Sequence, residues 1–367
     1  MKKHLFKKII GVVLITGLLG SLAGCGNAST NKDTSDSEVV QKDVAQNETS
    51  SESDVPEVVN IGVQTLITPE LITRYEKSYE DYLGTKVNLV QFDSGADVNK
   101  AFSSGSIDIG AFGSAPASIG IANNLGYEVF WYYDVIGTAE SLVATENSGI
   151  KTVEDLKGKK VATPFASTAH YSLLNAMNLA GISSADVELL DMQPDDIYAA
   201  WKRGDIDAAY VWNPVLGELK KDGGIAITDS GELAKEGIVT ADVAAVNKEF
   251  AAKYPNVVTN YVKAQLHALD VYENDKDTAI KSIAAVAGID EDEASSQVED
   301  FTYPSGEEQI TEDYLGTTDK KGALAQTLKN TADFLVEQGS IKSAPDLSVF
   351  EDNITGEYIE KALNESK

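Results

Sequence analysis

The sequence predicts an α/β fold built as two lobes, and three observations support this. From Val58 onward, short apolar strands alternate with helical segments, a pattern typical of mostly parallel sheets covered by helices. About 310 residues follow a polar amino-terminal segment, which is more than one typical domain contains. A glycine, an Ile-Asp pair and a strand of small residues occur in the same order at positions 105–112 and 204–211. We therefore expect two lobes of similar build, with a ligand bound at the carboxyl ends of their strands.

Residues 1–24 have the composition of a targeting segment. Four lysines precede an apolar stretch at positions 9–19, and small residues then lead to Cys25. This layout resembles a lipoprotein signal peptide, in which the cysteine becomes the first mature residue and carries lipid such as palmitate. An uncleaved membrane anchor is the alternative, but the apolar stretch is short for a span. We expect lipid at Cys25 to hold the protein on the extracellular face of the cell membrane.

The segment that follows, residues 25–56, is predicted to be a disordered tether. Positions 26–54 contain no aromatic residue, leucine or isoleucine, so they cannot bury enough apolar surface to offset chain entropy. Cys25 is the only cysteine in the chain, which excludes an intramolecular disulfide and fits lipidation better than redox chemistry or metal binding.

Charge and motif content exclude several classes of function. The formal net charge is −28, and loss of the four amino-terminal lysines would make it −32, which argues strongly against nucleic acid as a partner. The Gly-x-Ser-x-Gly, Walker A and His-Glu-x-x-His motifs are absent, and so is the Cys/His spacing of a metal site. We expect no cofactor and no metal.

Two predicted helix starts are candidates for binding an anion. The stretch after the strand at 161–163 breaks at Pro164, and Ser167 or Thr168 then reads as the N-cap of an amphipathic helix. Ser114 reads as a second N-cap, with Pro116 in the first turn. Free backbone N–H groups and a partial positive charge at a helix start favour an anionic group.

Five motifs, together with the order in which they follow one another along the chain, give a specific resemblance to a known family over residues 58–346. They are Phe-Asp-Ser-Gly-Ala from 92, Gly-Ser-Ala-Pro from 113, Glu-Ser-Leu-Val from 140, Pro-Phe-Ala-Ser-Thr-Ala-His-Tyr-Ser-Leu-Leu from 164, and the run from 199 that ends in Asp-Ala-Ala-Tyr-Val-Trp at 212. Together they resemble the sulfonate, nitrate and taurine substrate-binding family of ABC importers. Two positions depart from the family pattern, since Ala115 replaces an expected serine and Ala244 an expected aromatic residue.

The resemblance implies a periplasmic-binding-protein type II (Venus-flytrap) fold, with a cleft between lobes joined by two crossing strands. Lobe 1 would comprise residues 57–140 and 242–367, and lobe 2 residues 141–241, with the crossings at 141–145 and 242–246. The implied protein is a monomer that delivers its ligand to a membrane permease with its ATPase.

The implied ligand is taurine, which has an anionic and a cationic end. The sulfonate would take donors from Ser114, Ser167, Thr168 and Gln64; His170 could add one but could equally be a neutral surface group, and Tyr171 could be a core residue. The ammonium would pair with a carboxylate at a crossing. The candidates at this end are Glu140 and Asp242, with Trp212 and Tyr210 as aromatic walls or as core.

The sequence leaves two other functions open. Other alkanesulfonates, nitrate or a thiamine-precursor pyrimidine could be the ligand of the same cleft. A hydrolase with Ser167 as nucleophile and His170 as base is the enzymatic alternative, but it lacks an identifiable third group to orient the base. We expect a binding protein that is not an enzyme.

Overall fold

The computed structural model describes residues 55–365, so the predicted signal peptide, Cys25 and most of the tether lie outside the described residues. This part of the chain has eleven strands. They are β1 Val58–Val63, β2 Lys86–Gln91, β3 Ile109–Gly113, β4 Tyr127–Ile136, β5 Glu140–Ala144, β6 Lys160–Thr163, β7 Glu188–Asp191, β8 Ala208–Trp212, β9 Ile225–Asp229, β10 Ala241–Asn247 and β11 Phe301–Thr302.

Sixteen α-helices cover these strands in the same part of the chain. They are α1 Glu70–Glu76, α2 Tyr79–Leu83, α3 Gly95–Ser104, α4 Ser114–Ala122, α5 Thr168–Leu179, α6 Pro194–Arg203, α7 Val215–Lys221, α8 Ser230–Lys235, α9 Lys248–Lys253, α10 Pro255–Asn274, α11 Lys276–Ala287, α12 Glu291–Val298, α13 Gly306–Gln309, α14 Leu324–Glu337, α15 Leu347–Glu351 and α16 Glu357–Glu365. No helix between residues 55 and 365 is both long enough and apolar enough to cross a bilayer.

The strands form two mixed sheets, as the predicted two-lobed α/β fold requires. The first has the order β11-β4-β10-β3-β1-β2 and the second the order β7-β6-β8-β5-β9. In the first sheet β1 pairs parallel with β2 and β3, whereas β10 runs antiparallel between β3 and β4. In the second, β6 pairs parallel with β7 and β8, and β5 runs antiparallel to β8 and β9. Each sheet therefore combines a parallel part with one inserted antiparallel strand.

The repeated pattern at 105 and 204 marks equivalent places in the two sheets. Gly105 ends α3 and Gly204 ends α6, and both adopt the left-handed conformation, with φ of 68° and 72°. A residue with a Cβ is disfavoured there, which explains the glycines. Each is followed by a buried strand, β3 or β8, whose end faces the other sheet. The predicted similarity of build is confirmed at this position.

The local predictions of the first lobe are mostly confirmed. The sequence predicts strands at residues 58–63, 87–91 and 107–112; β1 has these bounds, and β2 and β3 lie within two residues of theirs. The sequence also predicts one helix that opens at Thr68-Pro69 and ends near Gly84. The structure has two helices there, because Lys77 takes the left-handed conformation, with φ of 57°, and ends α1. Apolar residues recur at helical spacing between Val257 and Val271, which predicts a packing face. This face of α10 packs into the core of the first sheet through residues such as Tyr261 and Val262.

The strands expected to cross between lobes each belong to one sheet. β5 lies wholly in the second sheet and β10 wholly in the first. The chain passes between the sheets just before each of them, at residues 137–139 and 230–240. Both strands therefore begin at the junction, which places Glu140 and Asp242 at the floor of the space between the lobes. Ala115 and Ala244 are buried in core packing.

Candidate functional site

A cavity lies between the two sheets, where strands from both of them end. The empty space in and around it, with its opening to solvent included, is about 410 Å³. The residue after β1 and the last residues of β3 and β8 line it, together with residues near the starts of β5 and β10. β5 and β10 run antiparallel to the strands beside them, so they begin at the edge of the sheet where those strands end. All five strands therefore contribute to one place. Six of the ten predicted site residues line the cavity: Gln64, Glu140, Ser167, Thr168, Trp212 and Asp242.

The start of α5 is organised by its predicted cap. Ser167 Oγ accepts a hydrogen bond from the His170 backbone N–H at 3.1 Å and donates to the Pro164 carbonyl at 2.6 Å. The serine hydroxyl therefore uses both its donor and an acceptor site within the turn. The backbone N–H groups of Thr168 and Ala169 have no intrahelical acceptor, as at any helix start, and can bind an anionic group.

The start of α4 differs from the prediction. Gly113 is the N-cap, and Ser114 lies inside the first turn, so the assignment of Ser114 as N-cap is wrong. Its hydroxyl instead accepts a hydrogen bond from the backbone N–H of Ala241 at 3.2 Å, because β10 begins alongside. Ser114 is buried and outside the cavity wall, while its neighbours Gly113 and Pro116 line it.

The two helix starts approach each other across the cavity at Gly113 and Thr168. A Cβ built on Gly113 would lie 2.6 Å from Thr168 Cγ2 and 3.3 Å from its Oγ1. Real Cβ atoms are not found at 2.6 Å, so only glycine permits this distance between the starts of α4 and α5. The contact joins the first sheet to the second.

Glu140 is held by three hydroxyl groups of the second lobe. Its carboxylate accepts hydrogen bonds from Thr168 Oγ1 at 2.5 Å, Ser230 Oγ at 2.8 Å and Ser172 Oγ at 3.3 Å. Burial raises the pKa of Glu140 to about 7, and the three hydrogen bonds oppose this rise. Most of its acceptor capacity is therefore used within the protein.

Asp242 has a different environment from Glu140. It is buried, it lines the cavity, and no described side chain donates a hydrogen bond to its carboxylate. Burial and the neighbouring charge of Glu140 raise the pKa of Asp242 to about 8. No lysine, arginine or histidine lines the cavity. Asp242 is therefore the carboxylate with the most to gain from a cationic ligand group.

Sequence reasoning missed Asp134, which lies opposite Asp242 on the adjacent antiparallel strand β4. Asp134 is fully buried, and neither of its carboxylate oxygens has a hydrogen-bond partner among the described residues. Burial and the charge of Asp242 hold its pKa well above the usual value, although the nearby Asp242 backbone N–H favours the ionised form. A single acid within the apolar run 129–136 was the signal available in the sequence.

Gln64 and Trp212 occupy the outer part of the cavity wall. The Gln64 carbonyl accepts a hydrogen bond from Arg74 Nη2 at 2.8 Å, and Arg74 forms a buried ion pair with Glu70 at 2.5 Å. Arg74 thus fixes the end of β1. Trp212, at the end of β8, lines both this cavity and the wider cleft mouth beside it, as does Gln64. The sequence did not single out Asn213 and Phe301, which also line the wall.

His170, Tyr171 and Tyr210 lie outside the cavity wall. The His170 ring stacks on Phe165 with ring centroids 4.4 Å apart, and its Nδ1 accepts from the Ala166 backbone N–H at 3.3 Å. Tyr171 packs edge-on against Phe334. Tyr210 is fully buried behind Glu140, and its hydroxyl pairs with Ser230 Oγ at 3.2 Å. Their positions favour packing over ligand contact.

The environment of His170 predicts a pH effect on stability. Burial lowers the pKa of His170 to about 4, although the charge of Asp191 opposes the shift. Because the unfolded chain binds this proton more readily, the histidine contributes stability above about pH 6.5 that is lost as the pH falls towards 4. His170→Gln should flatten that part of the pH profile of the unfolding free energy, measured by urea denaturation. His267→Gln, at a half-exposed position, is the control; equal profiles for wild type and His170→Gln would contradict the assignment.

Fold and site together define a two-lobed binding protein with its cavity between the lobes. The chain matches the family model described as the substrate binding domain of ABC-type glycine betaine transport system over residues 57–287. It is 36% identical over 289 residues to the taurine-binding periplasmic protein of Escherichia coli (strain K12), covering 77% of this chain and 87% of that protein. The chain therefore belongs to the family of substrate-binding components of ABC importers for taurine and sulfonates.

Solved structures agree with this fold. The alkanesulfonate-binding protein SsuA from Xanthomonas axonopodis pv. citri, bound to MOPS, superposes with a TM-score of 0.68 at 22% identity, covering 80% of this chain and 96% of that chain. The desulfurization enzyme DSZB has a TM-score of 0.59 at 14% identity, covering 85% of this chain and all of that one. At such identities the similarity concerns the fold alone, and function must be argued from the site.

Proposed function

We propose that this protein captures taurine in the cavity between its lobes and delivers it to a membrane permease with its ATPase. The observation that carries the proposal is the distribution of groups along the cavity wall. Uncharged donors lie at the start of α5, an unpaired buried carboxylate lies at Asp242, and no lysine, arginine or histidine lines the wall. A zwitterion with one anionic and one cationic end is complementary to this arrangement.

The anionic end would bind at the helix starts. A sulfonate has three acceptor oxygens, and the backbone N–H groups of Thr168 and Ala169, with the Gln64 amide, can donate to them. The ammonium would lie against Asp242, with Trp212 beside it. A cation over an indole ring adds about 0.5–2 kcal/mol. The Glu140 carboxylate already accepts hydrogen bonds from three hydroxyls. It would position Thr168 and add negative charge to the site without being the main partner of the ammonium.

A ligand screen tests this proposal directly. Thermal shift and calorimetry should be run with taurine, ethanesulfonate, longer alkanesulfonates, nitrate and a thiamine-precursor pyrimidine. We expect stabilisation to be largest with taurine, because it alone among the sulfonates of this set carries a cation for Asp242. Stabilisation by nitrate or the pyrimidine and by no sulfonate would overturn the proposed ligand class.

General alkanesulfonate uptake is the second candidate, and the cleft mouth favours it. This mouth adjoins the cavity through Gln64 and Trp212, and it is also lined by Phe92, Pro194 and Pro214. These apolar groups could contact a longer alkyl chain. In that case affinity should rise with chain length in the screen, and taurine would show no advantage over ethanesulfonate.

The site geometry argues against the hydrolase alternative. Ser167 Oγ is hydrogen-bonded to the Pro164 carbonyl and the His170 backbone, and the His170 ring faces Phe165 and Ala166. No hydrogen bond joins the Ser167 hydroxyl to that ring in the described part of the chain. A nucleophile needs a base within hydrogen-bonding reach, so binding without turnover is the proposed activity.

Membrane attachment through Cys25 is part of the proposal. Lipid at that residue would keep the protein near its permease and raise the local concentration of loaded protein. The proposed lobes are residues 57–140 with 242–367 and residues 141–241, acting as a monomer. Cys25→Ser should release the protein into the medium or leave it as unprocessed precursor, as judged by detergent partitioning and mass. A mature-size variant that still partitions into detergent would contradict lipidation.

A further inference from the structure

Asp134 and Asp242 form a buried pair that the proposed taurine site does not explain. They are register partners on β4 and β10, so their side chains extend from the same face of the first sheet. Side chains directly opposite each other in an antiparallel pair are close neighbours, and like charges there repel. Asp242 lines the cavity, whereas Asp134 is fully buried behind it.

No cation balances this pair within the described residues. Both carboxylate oxygens of Asp134 lack a hydrogen-bond partner there, a rare state for a fully buried acid. The titratable groups that face the pair are Glu140 from β5, Tyr132 from β4 and Tyr303 from the segment after β11. All of these are neutral or negative, so no positive charge among the described residues offsets two charges on the pair. The Asp242 backbone N–H favours ionisation of Asp134 alone.

We propose that Asp134 and Asp242 share a proton while the cleft lacks a cation and release it when a cationic ligand group reaches Asp242. Asp134 is then a positioning residue that sets selectivity through Asp242. The proton leaves to solvent, and the ammonium takes its place as the positive partner of the pair. This inference rests on the proposed taurine function and adds a proton to the binding equilibrium.

The electrostatics of both residues agree with this arrangement. Burial raises the pKa of both acids above the usual range; the charge of Asp242 adds to the rise at Asp134, and the charge of Glu140 adds to the rise at Asp242. The empty cleft therefore retains protons at neutral pH. A ligand ammonium reverses the balance because it favours the ionised form. Taurine affinity should therefore rise between about pH 6 and 8, by at most about tenfold per pH unit for one proton. Ethanesulfonate has no ammonium, so its affinity should not rise.

Calorimetry of taurine binding at pH 7 in phosphate and in Tris measures the released proton directly. Wild-type protein should release about one proton with taurine and none with ethanesulfonate. Asp242→Asn should release none. Asp134→Asn should release less than one proton per bound taurine. Its taurine affinity should also begin to rise at lower pH than that of the wild type, because a single carboxyl ionises more easily than one of a repelling pair. Asp277→Asn, the same change at an exposed helix position, should match the wild type.

The outcomes separate this inference from the function on which it rests. Taurine binding without proton release, or an Asp134→Asn profile equal to the wild type, overturns the shared proton and leaves the taurine site standing. Failure of every sulfonate to bind overturns the proposed function. In that event carboxyl NMR of the empty protein decides the inference: Asp242 should titrate at lower pH in Asp134→Asn than in wild type, and equal titration overturns it.

Discussion

Gly113→Ala should weaken taurine binding by about 1–3 kcal/mol, roughly 5- to 150-fold, because the added methyl group keeps the two helix starts apart. Its Cβ would lie 2.6 Å from Thr168 Cγ2, so the starts of α4 and α5 could not reach the distance seen here. Overpacking of a tight contact costs an amount of this order. Gly113 has a φ of −67°, which alanine also adopts, so the empty variant should fold normally. Calorimetry gives the affinity, and small-angle scattering with ligand shows whether the lobes still close.

Thr168→Ser provides the matched control and the rescue. Serine lacks Cγ2 but keeps the hydroxyl that donates to Glu140, so the single variant should bind nearly as well as wild type. In the Gly113→Ala/Thr168→Ser double variant, the clash is removed and most of the affinity should return. If Gly113→Ala binds normally, or if the double variant is as weak as the single one, the helix starts do not meet in this way in the bound protein.

Asp242→Asn should cost about 3 kcal/mol of taurine affinity at pH 8, roughly 150-fold, because it leaves the ligand ammonium without a buried counter-charge. Ethanesulfonate has the same two carbons and sulfonate, and its affinity should be unchanged or improved. The wild-type preference for taurine should therefore largely disappear. Calorimetry with both ligands on both proteins measures this difference.

Glu140→Gln is the comparison for that prediction. It should reduce the preference for taurine less, because three hydroxyls already occupy the Glu140 carboxylate. If ethanesulfonate binds the wild type as tightly as taurine does, neither carboxylate is an ammonium ligand. The function would then be general sulfonate uptake.

Features that depend on neighbouring residues could be predicted from the sequence. Strand and helix alternation set the fold class, since period and turn residues act over a few positions. Gly105 and Gly204 marked two helix ends because a left-handed residue is a local requirement. The cap of α5 could be narrowed to Ser167 or Thr168, because a capping side chain bonds to a backbone N–H only a few residues away; Ser167 takes this role, with His170 as its partner. The motif order identified the family and, with it, the cavity-lining Glu140.

Features that depend on distant partners could be recognised only in the assembled fold. The hydroxyls that donate hydrogen bonds to Glu140 lie 28, 32 and 90 residues away along the chain, so no local sequence pattern predicts them. Ser114 is of a residue type common at N-caps, but its hydroxyl accepts a hydrogen bond from the backbone of β10, 127 residues away. Asp134 reads as one acid in an apolar strand until strand register places it opposite Asp242. Charge repulsion and burial act through space, so the pairing of those two acids emerges only when the strands are assembled.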